Sequence, residues 1–217
     1  MRIPALITAL CFSAIAHADE HGTLIFEDDF ERSESQEVKD EPGKGWKTNS
    51  KSRAGGNKQV DLKDGTMRIF IHETADHGVS VTHDAEFKDG AVGLRFMLED
   101  KADSIGLNFA DLKFKEVHAG HLFAARISTR EVKLEDLKTG KMKSEHREMR
   151  KAGKSTPELK ELLKTKEQKF PNKLEVGKWY DLLVTISGDT LTASIDGEQS
   201  RPANRVARLF GPAVISK

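Results

Sequence analysis

His118-Ala119-Gly120-His121 is the closest histidine pair in the chain, with Asp111 and Glu116 just before it. Imidazoles so placed can bind zinc or shuttle a proton near neutral pH. His118, His121 and Glu116 therefore form the candidate catalytic set, with Asp111 as the alternative carboxylate. The competing reading is structural or surface histidines, since the spacing is loose and Gly120 indicates a loop. His72, His77 and His83 form a second, looser group. Sugar recognition is the other chemistry within reach, because pyranose rings lay apolar faces on flat aromatic rings. Trp46, Trp179 and Tyr180 are the only Trp and Tyr residues, and they are the candidate ligand-binding set. Core packing competes for each of them. Trp179 reads as the core-facing member of its pair and Tyr180 as pointing to the opposite face.

Glu27, Asp28, Asp29 and Glu31 are the densest acids near an apolar run. They read as an ordinary acidic strand end, with calcium coordination the minor alternative. No cofactor is expected, and the metal question stays open. No Gly-x-Ser-x-Gly elbow is present, Gly78-Val79-Ser80-Val81-Thr82 only beginning like one, and no phosphate-binding glycine loop occurs.

These residues must be held by strands. Leu174 to Gly197 reads as a β-hairpin around Gly188-Asp189, pairing Ile186 with Leu191, Val184 with Ala193 and Leu182 with Ile195. All the apolar side chains then share one face, and a one-residue slip would mix the faces. The same pattern recurs around Asp64-Gly65, where Leu62 meets Met67, Val60 meets Ile69 and Asp61 meets Arg68. A third hairpin is expected around Asp89-Gly90, with Phe87 on Val92, Ala85 on Leu94 and Asp84 on Arg95. Leu24 to Phe30 reads as the first strand, and further strands follow at 92–98, 105–109, 122–127 and 132–134. Roughly nine to eleven short strands separated by turn signals predict an all-β sandwich. One segment differs: Ser155-Thr156-Pro157-Glu158 carries a cap and an N-terminal proline, predicting one short helix near 157–169.

Residues 1–18 read as a signal peptide: Arg2, an apolar run from Ile3 to Ala16, and Ala16-His17-Ala18 as the cleavage site. The run is too short to span a bilayer. The only cysteine, Cys11, lies within it and follows Leu10, which disfavours lipid attachment. The expected mature chain, 19–217, is one domain, secreted or periplasmic, with no membrane span and no disulfide. Loss of Arg2 leaves 34 basic against 35 acidic side chains, a balance that argues against nucleic acid. The charge is uneven, acids crowding 19–41 and bases crowding 138–173. The basic block suits an acidic polysaccharide of the cell envelope.

Gly177-Lys178-Trp179 at the mouth of the last hairpin, Asp196-Gly197 after it, and Trp46 before the Asp64-Gly65 hairpin carry a resemblance. The sequence resembles the concanavalin A-like lectin/glucanase superfamily, within it the bacterial 3-keto-disaccharide hydrolase-like domains, a laminin G-like branch. The likeness runs from Leu24 to about Gly197. It implies a jelly-roll of two curved antiparallel sheets, a saccharide ligand and hydrolysis of a glycosidic bond. The Glu-x-Asp-x-x-Glu pattern of the superfamily's glucanases is absent, and Tyr180 stands where many members place His. The stretch Gly211 to Lys217 looks too short to supply the usual last strand. The alternatives are a non-catalytic carbohydrate-binding module and an envelope structural or interaction protein.

Overall fold

The computed structural model describes residues 23–199. The expected signal peptide and the stretch after Gln199 lie outside the described residues. Twelve strands are described: β1 Lys47–Thr48, β2 Val60–Lys63, β3 Thr66–Ile69, β4 Val81–Thr82, β5 Gly90–Met97, β6 Ser104–Ala110, β7 His121–Ser128, β8 Glu131–Asp136, β9 Glu167–Pro171, β10 Trp179–Ser187, β11 Thr190–Ile195 and β12 Glu198–Gln199. Helices α1 (Ser50–Arg53), α2 (Ser144–Lys151) and α3 (Pro157–Lys164) are short. The chain is thus mostly strands in antiparallel sheets. Two sheets have four strands, in the orders β12-β11-β10-β5 and β6-β7-β8-β9, and β1-β4 and β2-β3 form smaller pairs.

Alternation explains why the two large sheets meet. Leu182, Val184, Ile186, Leu191 and Ala193 from one, and Phe109, Phe123, Ala125, Ile127, Val132 and Leu134 from the other, share a single buried cluster. This is the arrangement of a sandwich, with each sheet hiding its apolar face against the other. The β10–β11 register matches expectation residue for residue: Leu182 with Ile195, Val184 with Ala193, Ile186 with Leu191. The β2–β3 hairpin does too.

The Asp89-Gly90 hairpin does not form. Residues 83–87 make no strand, and β5 pairs instead with β10, Val92 with Val184 and Leu94 with Leu182. The same alternation satisfies either partner, and β10 supplies the longer apolar face. Asp89 still acts at a turn, its Oδ1 accepting from Gly188 N at 2.6 Å. Asp84 pairs with Lys47 and Arg95 with Asp181, rather than with each other.

Leu24 to Phe30 is not a strand; Leu24 and Ile25 are exposed, and the segment meets the fold through side chains. The acidic block around it works inside the structure. Asp40 Oδ1 accepts from the N–H groups of Gln59 (2.6 Å) and Val60 (2.9 Å), and Glu34 accepts from Leu62 N at 2.8 Å. These carboxylates replace a neighbouring strand as acceptors for β2.

The expected helix at 157–169 is α3, but it stops at Lys164, and Glu167–Pro171 is strand β9 paired to β8. Thr156 is its cap, accepting from Leu159 N at 3.2 Å. Helix α2, which sequence reading missed, has His146 as its one buried residue, too little apolar surface to leave a period.

Leu182→Ala should lower the unfolding free energy by about 2–5 kcal/mol, while Thr192→Ala on the opposite face should change it by about 0.5 kcal/mol or less. Denaturant titration checks both, and equal costs would contradict the assignment of faces.

Candidate functional site

The outward face of the β6-β7-β8-β9 sheet carries the polar side chains best placed for chemistry. Along β7 the core takes Phe123, Ala125 and Ile127, which leaves Arg126 on the outer face. Its register then shifts: Phe109 pairs with Phe123 but Ala110 pairs with His121, so Leu122 is the extra residue of a bulge. The bulge returns His121 to the outer face with Arg126. Re-aiming one side chain is a common use of a bulge.

Glu135 lies across from Ala124 on β8 and is the centre of the cluster. Its carboxylate is only 2% exposed. Arg126 Nε donates to its Oε2 at 2.7 Å, and Lys141 Nζ donates to its Oε1. Lys133 Nζ is 3.3 Å from the same Oε1. Burial pushes this carboxyl up, but the hydrogen bonds from Lys141 and Arg126 outweigh it and hold Glu135 below the usual glutamate range. It stays ionised and orients its cations.

Lys141 arrives from the turn after β8, which is fastened to the loop before β7. His118 N donates to Met142 O at 2.8 Å, Ser144 N to Glu116 O at 3.0 Å, and Val117 bridges Lys143. Gly120 is required here: its φ is +70°, and a Cβ would collide with the Asp111 carbonyl.

The His121 ring makes no hydrogen bond among the described residues, and its Nδ1 is enclosed without a partner. Exchange of a proton or hydrogen bond with a ligand therefore falls to Nε2. Desolvation, followed by the positive charges of His118, Arg126 and Lys141, pushes its pKa below the usual histidine value. His118 is exposed, and partial burial together with Arg147 and Lys151 lowers it as well. Both shifts favour the neutral ring.

The structure brings His118 and His121 together and adds Arg126, Glu135, Lys133 and Lys141, which sequence reading missed. The alternation of β7 and β8 could have indicated Arg126 and Glu135; the bulge left no signal. Glu116 does not join them. It lines a separate cleft with Phe114, Lys138, Lys143, His146 and Lys166, which neither candidate histidine lines.

The aromatic assignments change. Tyr180 is 7% exposed and lies in the core, its hydroxyl accepting from Glu175 N at 2.8 Å, so its ring is closed to a ligand. Trp179 is the outward member, 41% exposed, with the Arg95 guanidinium 5.7 Å from its ring. The parity of β10 dictates this, since Tyr180 lies two residues from buried Leu182. Trp46 is half-buried among Phe26, Phe30 and His83, and its Nε1 donates to Asp28 at 2.7 Å. That role is structural.

Asp28 also accepts from Arg32 and from Phe30 N. Its burial is outweighed by these bonds and its carboxyl is held well below the usual range. With its oxygens so occupied, it offers calcium little. Among the described residues no group of three or more His, Cys, Asp or Glu is placed to hold a metal ion. No described helix is long and apolar enough to cross a membrane.

No protein-family model, curated protein or solved structure matches the chain.

Because Glu135 is more acidic folded than unfolded, its contribution is complete above the unfolded glutamate pKa and is lost as pH falls through the folded value. Glu135→Gln should cost about 1.5–3 kcal/mol at pH 7 and flatten the acid limb of a stability–pH curve. An unchanged limb would refute the assignment. Histidine NMR should show His118 and His121 titrating below about 6.5.

Proposed function

We propose that this chain is an exported saccharide-acting domain with the concanavalin A-like jelly-roll, hydrolysing a glycosidic bond of the 3-keto-disaccharide kind on the outer face of β6–β9. Two facing four-stranded antiparallel sheets with one shared core support the fold part of the reading. The signal-like first eighteen residues support export to the periplasm or medium. The observation that carries the activity is His121, an imidazole without a hydrogen bond on a rigid sheet, beside Arg126 and Lys141 already oriented by Glu135.

The chemistry follows from those charges. Neutral His121 can take the C2 proton beside the 3-keto group while Arg126 and Lys141 stabilise the enolate oxygen. The enolate then expels the C1 oxygen, the histidinium returns the proton to the departing alcohol, and water adds at C1 of the resulting enone to complete hydrolysis. A keto sugar suits this better than an ordinary disaccharide. Ordinary glycoside hydrolysis needs a carboxylic acid to protonate the leaving oxygen, and the buried carboxylate of this face is held ionised. A carbonyl oxygen, by contrast, gathers charge that cations can stabilise.

Trp179 favours a second reading, a non-catalytic carbohydrate-binding module. Its exposed ring, flanked by Arg95 and Asp181 on the other sheet, is a platform of the kind on which a sugar stacks.

Incubation with 3-keto and ordinary disaccharides, measuring both turnover and affinity, tests the two. The first reading expects turnover of the keto sugar alone, falling at least about a hundredfold in His121→Ala and little in Trp179→Ala. Affinity without turnover, lost in Trp179→Ala, would replace it with the second.

A further inference from the structure

Three cations converge on one buried carboxylate in the β6–β9 face. Glu135 gives Oε2 to Arg126 and Oε1 to both Lys141 and Lys133. Among the described residues only Lys133 has another acidic partner, Glu167 at 3.8 Å on the neighbouring strand. Two carboxylates therefore serve three cations, and one positive charge is left over.

That surplus has a definite outlet. Arg126 hydrogen-bonds Glu135 through Nε alone, and its Nη1 and Nη2 meet no acceptor among the described residues. The side chain is 42% exposed. Gly106 is its cross-strand neighbour on β6, so no side chain stands beside the guanidinium there. A Cβ at Gly106 would lie 3.5 Å from Nη1. Exposed Asn108 follows on the same face, a planar amide suited to sugar hydroxyls. A guanidinium whose Nε is pinned and whose Nη1 lies beside Gly106 keeps both Nη groups for a bidentate oxyanion. Neutral hydroxyls would bind the fork more weakly and leave the charge uncompensated.

We propose that the saccharide taken by this face carries an anionic group, a uronate carboxylate or a sulfate ester, seated on the Nη1/Nη2 fork of Arg126 with Lys141 and Lys133 alongside. This deepens the saccharide reading given above and rests on it. Glu135 is then a positioning residue that aims the fork.

Calorimetric titration of the purified chain with trigalacturonic acid, its fully methyl-esterified counterpart and a sulfated heparin disaccharide tests the proposal. At least one anionic probe should bind ten or more times tighter than the ester, and the tighter of the two identifies the group. The advantage should shrink to threefold or less in Arg126→Gln. Arg126→Lys, which keeps the charge and loses the fork, should fall between. If Arg126→Gln does not fold, the wild-type comparison and Arg126→Lys still decide. The ester binding as tightly as both anionic probes would overturn the anionic inference and leave the saccharide reading standing, as would an unchanged preference in both variants. Failure of all three probes to bind, together with no turnover of neutral 3-keto or ordinary disaccharides, would remove both.

Discussion

Leu182, Val184 and Ile186 point from one strand into a seam that Phe109, Ile127, Val132 and Leu134 fill from the facing sheet. Each buried leucine or isoleucine contributes about 1.5–3 kcal/mol by leaving water, and none can turn outward without reversing its whole strand. This one-sided burial fixes which side chains are left outside. Arg126, Lys133 and Glu135 lie on the face away from this core because Ile127, Val132 and Leu134 point into it.

Charge inside this fold is handled by saturation. Asp28 is held by Arg32, Lys44, Trp46 and a backbone N–H; Lys58 by Glu34, Glu37 and Asp61; Glu135 by Arg126, Lys133 and Lys141. An unpaired buried charge costs several kcal/mol, and pairing mostly recovers that cost rather than adding stability. Asp28 and Lys58 join the N-terminal segment to the loops and to the β2–β3 hairpin, where no strand pairing holds it. Glu135 differs in that its three cations share only one further carboxylate among the described residues, Glu167, whereas the two cations on Asp28 are matched by Asp28 and Asp29. That difference separates a functional candidate from structural ion pairs.

Position on the sheet makes the site rigid. Arg126 and Glu135 stand on paired strands, and the loop ahead of β7 is bound by backbone hydrogen bonds to the turn that carries Lys141. A ligand would find these groups already oriented, so little ordering entropy would be lost on binding. His121 depends on the Leu122 bulge for its place on this face.

The amino-acid sequence by itself determined the β10–β11 and β2–β3 hairpins, down to register, because a two-residue turn and alternating side chains are local facts. It also determined the all-β class, the α3 start and the closeness of His118 to His121. It left β5 open between two partners, since Val92 and Leu94 satisfy a local hairpin and a distant strand alike, and only the longer apolar face of β10 chose. Tertiary structure alone set Glu116 apart from the histidines, put Lys141 on Glu135, and turned His121 onto the face of Arg126. Those outcomes depend on a bulge and on loop-to-loop hydrogen bonds between residues far apart in the chain, whose energy has no periodic signature along it.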